Sequence, residues 1–243
     1  MKIERKPAPK DPSTLPKGFE RLERAIAYEG IASRREAKDL IMRGLVKVNG
    51  RVIKEPGFGI VVGKDIIDTG KQVVKKESYL VYKKRGIETS HTTPNTPDLH
   101  TQYPKLTHLH PIGRLDKDSE GLIIMSNDGT LTAALTKEDS SIGKEYTVTV
   151  RENVTNEQLA KMSSGIMLDK VMTKKAVVKR ISRSVFTITL FEGRKHQIRR
   201  MCDACHLTIE SLVRTKIGHL AIGKMSESSM QEISTKDIEL LKK

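Results

Sequence analysis

Asp116 is the residue whose surroundings most clearly indicate chemistry. It belongs to the segment 110–129, which reads HPIGRLDKDSEGLIIMSNDG, and a short apolar run at 122–125 follows it closely. Because the run ends at the turn signal Asn-Asp-Gly at 127–129, it predicts a buried strand with Asp116 on the loop before it. Loops held by a rigid strand often carry catalytic groups. We therefore interpret this segment as a candidate active site.

The same residues invite two other interpretations. Residues 116–121 imitate the start of a calcium-binding loop, but the twelfth position of that loop is Asn127, where a bidentate glutamate is required. The preceding segment contains Pro104 and Pro111, which do not suit the entering helix of such a site. The second alternative is a solvated charged turn, and the local pattern alone leaves it open.

Three separated motifs give the chain a resemblance to a known family. The first is Gly-Arg-Leu-Asp at 113–116 with its following strand and turn, the second is Lys-Glu-Tyr at 144–146, and the third is Gly-Arg-Lys-His-Gln-Ile-Arg-Arg-Met at 193–201. In this order they resemble the signature of the bacterial ribosomal RNA pseudouridine synthases that modify single uridines. The resemblance extends from about Arg21 to about Ile222. It departs from the family pattern at 83–86, where Lys-Lys-Arg-Gly replaces the usual Asn-Lys-Pro before a glycine.

The resemblance implies isomerisation of one uridine to pseudouridine, with Asp116 acting on the ribose as nucleophile or as base. Tyr146 would lie against the uracil, and Arg199 would stabilise the charge of Asp116. Since a uridine in folded RNA must be flipped out, Arg114 would fill or hold the gap. Further candidates for RNA or supporting contacts are Arg200, His196 and Gln197. The reaction involves no redox change and no external group, so we expect neither a cofactor nor a metal ion.

The charge balance indicates a polyanionic partner. The 243 residues include 44 Lys and Arg against 30 Asp and Glu, which gives a net charge of +14. A basic surface gains free energy by displacing counterions from phosphates. The family resemblance implies ribosomal RNA as this partner, free or in an assembly intermediate, and we favour large-subunit (23S) RNA over small-subunit RNA or tRNA. Without a long apolar run or a signal peptide, we expect a cytoplasmic protein with no membrane partner. We also expect a monomer.

Residues 21–70 predict a small domain of two short helices and a hairpin. A capping box at 33–36 opens the second helix, and Val-Asn-Gly-Arg-Val at 48–52 is typical of a two-residue hairpin turn. This segment resembles the RNA-binding domain shared by a ribosomal small-subunit protein and several RNA-modifying enzymes. The resemblance implies RNA contacts by Arg21, Ser33, Arg34, Arg35, Lys38 and Lys47. The alternative is a solvated, charged helix face.

The rest of the chain divides around this domain. Residues 1–20 are basic and rich in proline, which predicts a flexible tail, and residues 78–243 would form the catalytic domain. The fold class implied is α+β, a mixed, mostly antiparallel sheet with flanking helices and an RNA-binding cleft. We interpret the histidine-rich segment 91–110 as an RNA-facing loop, because it shows no regular ligand spacing. We interpret Cys202 and Cys205 as inactive thiols on a packed helix.

Two functions from other classes remain as alternatives. The first is a non-catalytic RNA-binding or ribosome-assembly factor that keeps the fold without the chemistry. Asp116→Asn distinguishes it, because this change would abolish the product of an enzyme while leaving RNA binding nearly intact. The second is a transcription factor that reads DNA with its N-terminal helices, which preference for duplex DNA over structured RNA would support.

Overall fold

A computed structural model of the chain describes residues 18–70, 75–90, 93–137 and 140–243. They form two compact units. The first comprises the described residues up to Glu77 together with Asn127–Thr130, and the second comprises those from Ser78 onwards without that turn. Most of the predicted basic tail, part of the expected domain boundary and His91 lie outside the described residues.

The first unit contains two helices and five short strands. Its elements are β1 (Phe19–Arg21), α1 (Leu22–Tyr28), α2 (Arg34–Met42), β2 (Val46–Val48), β3 (Arg51–Ile53), β4 (Gly59–Val61) and β5 (Ile67–Asp68). The predicted capping box is present, because the Ser33 hydroxyl accepts from the Glu36 amide at 3.2 Å and the Glu36 carboxylate accepts from the Ser33 amide at 2.8 Å. Asn49 and Gly50 have φ of 51° and 79°, as a tight hairpin turn requires. The predicted hairpin is therefore confirmed.

The second unit is built on a nine-stranded sheet. Its strands are β6 (Ser78–Lys83), β7 (His110–Ile112), β8 (Glu120–Ser126), β9 (Lys144–Val150), β12 (Val177–Arg180), β13 (Val185–Leu190), β14 (Ile209–Ile217), β15 (Leu220–Ala221) and β16 (Met230–Glu232). A separate small hairpin pairs β10 (Met167–Leu168) with β11 (Val171–Met172). The helices are α3 (Leu99–Gln102), α4 (Gly129–Thr136), α5 (Asn156–Ser164), α6 (Gln197–Asp203) and α7 (Thr235–Leu241). The first two residues of α4 belong to the turn assigned to the first unit.

The strand order places β9, β14 and β8 at the centre of the sheet. The main path runs β12-β13-β9-β14-β8-β6-β16, with β15 added to β14 and β7 to β8. Only β14 and β8 are parallel among these pairs, and the others are antiparallel. The predicted α+β class with a mixed, mostly antiparallel sheet is thus confirmed. Apolar side chains of β9 and β13, such as Val148 and Phe186, are fully buried against the helices α5 and α6.

The segment 91–110 differs from its interpretation as an RNA-facing loop. Its described part forms α3 and a 3-10 helix at Pro104–Leu106, and ends in the first residue of β7. Four of its side chains are buried in one apolar cluster, Leu99, Tyr103, Leu106 and Leu109. Their spacing suits short helical turns, but the prolines and histidines between them hide it in the sequence. This part of the chain therefore packs into the core of the second unit.

None of the helices in the described ranges combines the length and the apolar character needed to traverse a bilayer.

Candidate active site

Asp116 lies on the loop between β7 and β8, as the sequence predicts. The preceding residue, Leu115, is buried, and both its amide and its carbonyl hydrogen-bond to the Thr89 hydroxyl, at 3.0 and 2.7 Å. On the other side, the amide of Ser119 donates to the Asp116 carbonyl at 3.0 Å and closes a turn. The loop is thus fixed on both sides of Asp116, while the carboxylate itself remains 35% exposed.

Two cationic or titratable side chains flank the carboxylate. Arg199 Nε lies 3.6 Å from Asp116 Oδ2, and His196 Nε2 lies 3.6 Å from Oδ1. Arg199 also donates from Nη2 to the Ser119 hydroxyl at 3.0 Å, so α6 is tied to the loop twice. His196 is the N-cap of α6 and has φ of 52°, which turns the chain sharply before the helix. The site therefore holds an accessible carboxylate whose negative charge is stabilised by a neighbouring guanidinium.

Tyr146 lies on β9, beside the central strand β14. Its direct partner in the register is Arg214, and the Arg214 Cζ lies 6.0 Å from the centre of the Tyr146 ring. On its other side, β14 pairs with the start of β8, where Arg214 lies opposite Gly121. β14 therefore joins β8, which follows Asp116, to β9, which carries Tyr146. Arg214 is the residue of β14 that lies opposite both strands.

Sequence reasoning did not identify two buried cations beneath the Asp116 loop. Lys83 is fully buried at the end of β6, and its ammonium donates to the carbonyls of Ser119 and Lys84 at 2.8 and 2.9 Å and of Lys117 at 3.4 Å. Loss of solvent lowers the pKa of Lys83 to about 8, although Asp116 and other nearby acids act in the opposite direction. Arg214, the second cation, is 2% exposed. In the sequence, Lys83 appeared only as the first residue of the segment 83–86, where the chain departs from the family pattern.

The remaining catalytic-domain candidates have different surroundings. Arg114 is exposed, next to the Asp116 loop, as a residue that contacts RNA must be. Arg200 forms a 2.6 Å ion pair with Asp169, in the turn between β10 and β11. Gln197 is only 4% exposed and donates to the Glu192 carboxylate at 2.7 Å. It therefore supports the turn before α6 and has no surface to offer to RNA.

The candidates of the first unit are mostly on its surface. Four side chains are exposed on α2 and β2, namely Arg34, Arg35, Lys38 and Lys47. Arg34 lies 3.9 Å from the Glu23 carboxylate, which partly offsets its charge at the start of the helix. Ser33 uses its hydroxyl in the capping box, and Arg21 is half-buried. Four of the six candidates are thus accessible cations, whereas the side chains of Ser33 and Arg21 make structural contacts.

The cysteines of α6 and its C-terminal turn are buried. Cys202 is fully buried, and loss of solvent raises the pKa of its thiol to about 12. Burial also raises the pKa of Cys205. Neither thiol is readily ionised near neutral pH, which does not suit redox or metal chemistry. Within the described ranges, no three His, Cys, Asp or Glu side chains are grouped so that they could hold a metal ion.

Comparison with known proteins identifies the family to which this chain is similar. A profile of RNA pseudouridylate synthases matches residues 77–204, and a profile of the S4 domain matches residues 20–66. The ribosomal large subunit pseudouridine synthase B of Bacillus subtilis is 33% identical over 92% of this chain and 96% of its own length. The dual-specificity RNA pseudouridine synthase RluF of Escherichia coli is 32% identical over 92% of this chain and 79% of its own length.

The fold agrees with these matches. A crystal structure of a pseudouridylate synthase superimposes with a TM-score of 0.68 at 27% identity, covering 91% of this chain and 99% of that one. Sheet and sequence together define an RNA-modifying isomerase. The chain belongs to the RNA pseudouridylate synthase family and carries an S4 domain before its catalytic region.

Proposed function

We propose that this protein converts a specific uridine of large-subunit ribosomal RNA to pseudouridine, with Asp116 as the catalytic residue. The observation that carries the proposal is the accessible Asp116 carboxylate, on a loop fixed at both sides and 3.6 Å from Arg199. The choice of RNA is supported by relatives such as the Bacillus subtilis protein, whose name specifies the large ribosomal subunit. An assembly intermediate as substrate, a cytoplasmic location and a monomeric state belong to the same proposal.

The reaction moves one bond of the nucleoside. The bond from the ribose C1′ to the uracil N1 breaks, C1′ bonds to C5 instead, and the proton of C5 is lost while N1 gains one. Asp116 acts on the ribose, as nucleophile or as base, and in both cases it must be ionised. Arg199 stabilises that charge, while Tyr146 lies against the uracil and assists removal of the C5 proton.

Binding relies on the basic side chains of both units. Arg114 is exposed next to the catalytic loop and holds the space that the flipped uridine leaves. In the first unit, Arg34 and Arg35 lie in the first turn of α2, where an RNA phosphate would be favoured by the helix dipole and offset the repulsion between the two cations. RNA binding by these groups would weaken as the salt concentration rises.

The experiment is pseudouridine mapping of total RNA by chemical labelling and primer extension, in cells with and without the gene. Loss of one mark in large-subunit RNA, restored by the wild type but not by Asp116→Asn, is the expected result. Asp118→Asn is the matched control, because it removes the same charge from an exposed position in the same loop. If no mark is lost, the proposal is wrong and a non-catalytic RNA-binding factor is favoured; if Asp116→Asn restores the mark, the protein is an enzyme but Asp116 is not its catalytic residue.

A further inference from the structure

The guanidinium of Arg214 is buried at the centre of the catalytic unit, where a charge is expensive. The residue is 2% exposed on β14, between β9 and β8. Its Nη2 is inaccessible to solvent and has no hydrogen-bond partner in the described part of the chain. An apolar side chain of similar volume would avoid the cost of desolvating this charge. The position therefore carries a charged group whose contribution to stability does not explain its presence.

The hydrogen bonds of Arg214 reach both sides of the Asp116 loop. Its Nε donates to the carbonyl of Leu122 at 2.5 Å, just after the loop, and its Nη1 donates to the carbonyl of Arg114 at 3.5 Å, just before it. Asp116 lies between these two anchor points. One rigid guanidinium therefore spans the loop that presents the carboxylate.

The main chain of Arg214 also packs closely against β8, at Gly121. A side-chain carbon on Gly121 would lie 2.4 Å from the Arg214 carbonyl oxygen and 2.7 Å from its amide nitrogen, so only glycine permits this approach. Because β14 and β8 meet here without intervening side-chain atoms, the Arg214 side chain starts from a fixed point relative to the loop.

Arg214 also contacts the second candidate catalytic side chain. Its Cζ lies 6.0 Å from the centre of the Tyr146 ring, within the range of a cation–π interaction. Its positive charge also acts on two lysines. Loss of solvent is the main cause that lowers the pKa of Lys83 and of Lys144, and repulsion by Arg214 lowers both further. The same group thus touches the Tyr146 ring and the loop of Asp116.

We propose that Arg214 is a positioning residue, which fixes the Asp116 loop and the Tyr146 ring relative to each other. This inference rests on the proposed function, because it takes Asp116 and Tyr146 to act on the target uridine. In the proposed mechanism, Arg214 touches no reacting atom. Its buried charge is retained because one planar group with several donors can tie a loop and a ring at once, which no apolar side chain can do.

The test compares Arg214→Met, Arg214→Lys and the control Arg151→Met, whose side chain is 72% exposed and lies 3.7 Å from the Glu210 carboxylate. Single-turnover rates and RNA affinity are measured separately. We expect Arg214→Met to lower the rate by about 100-fold, the size associated with a displacement of about 1 Å in a catalytic group, with RNA affinity unchanged within about twofold. Arg214→Lys should recover part of the rate, because it keeps the positive charge and one donor nitrogen.

A second readout does not depend on activity. In hydrogen exchange, peptides that cover residues 113–122 should exchange faster in Arg214→Met, while those of β13 keep the wild-type rate. Combining Arg214→Met with Tyr146→Phe should cost less than the product of the two single losses, because both act on the same arrangement. If Arg214→Met does not fold, Arg214→Lys and Arg214→Gln carry the same comparison.

Three results would overturn the inference: an unchanged rate in folded Arg214→Met, a rate loss fully explained by weaker RNA binding, or unchanged exchange of residues 113–122. An inactive wild type has a different meaning. It would reject the proposed function, while the exchange comparison would still decide whether Arg214 fixes the loop. The two failures are therefore distinguishable.

Discussion

Replacing Gly121 by alanine tests the close approach of β8 and β14 directly. Gly121 has φ of +105°, and its new Cβ would lie 2.4 Å from the carbonyl oxygen of Arg214. The unfavourable backbone conformation costs about 1–3 kcal/mol, and overpacking against a main chain that cannot rotate away costs about as much again. The total of about 2–6 kcal/mol is a large share of the roughly 5–15 kcal/mol that stabilises a typical protein.

Gly113→Ala is the matched control for this change. It lies at the other end of the same loop with φ of +74°, but a Cβ there meets no heavy atom within 4 Å. It should therefore cost only the backbone term, about 1–3 kcal/mol. The difference between the two variants isolates the steric contact.

Urea unfolding followed by tyrosine fluorescence measures both losses. The chain has no tryptophan, and four of its five tyrosines belong to the second unit, so the signal reports mainly on the unit that contains Gly121. An equal loss of unfolding free energy in Gly121→Ala and Gly113→Ala would refute the argument, because it would mean that β14 does not pack directly against Gly121.

Three further changes have defined outcomes. Burial lowers the pKa of Lys83 to about 8, below its value of about 10.4 in an unfolded chain. The unfolded state therefore binds more protons between these values, and stability should rise with pH across them in the wild type but not in Lys83→Met, as urea titrations would show. Ser33→Ala removes the cap of α2 and should cost about 1 kcal/mol in thermal unfolding of the first unit, whereas Ser33→Thr should cost little. Removing the charges of Arg34 and Arg35 should weaken RNA binding and reduce its salt slope by about 0.7–0.9 per lost phosphate contact; an unchanged slope in filter binding would contradict their role.

Local patterns predicted the elements whose inward side chains are apolar. The strand after Asp116 is visible in the sequence as the apolar run 122–125, and it is confirmed as part of β8. The capping box at Ser33 is confirmed as well, because its partner Glu36 lies only three residues away. The proximity of Asp116 and Arg199 came from the family motifs, since no periodicity connects residues so distant in the chain.

The strand β14 was missed for a physical reason. Its inward positions include Leu212 and Ile217, but also Arg214, and an inward arginine breaks the alternation by which half-buried strands are recognised. Lys83 is the same case at the end of β6. Their burial depends on carbonyls of the Asp116 loop, which is distant from both in sequence. Apart from the Lys84 carbonyl, the groups that compensate these two cations lie outside any local sequence window.

The central place of β14 has a consequence for how the enzyme is made. In the described sheet, β8 and β9 share no edge, and β14 lies between them. While Ile209–Ile217 is still inside the ribosome, the nascent chain already contains Asp116, Tyr146 and Arg199. Without β14, however, the half-sheet that contains β8 and the half-sheet that contains β9 are not paired. Such long-range pairing forms slowly and late. We therefore expect the active site to assemble only after β14 has been synthesised, so that an incomplete chain binds RNA without modifying it.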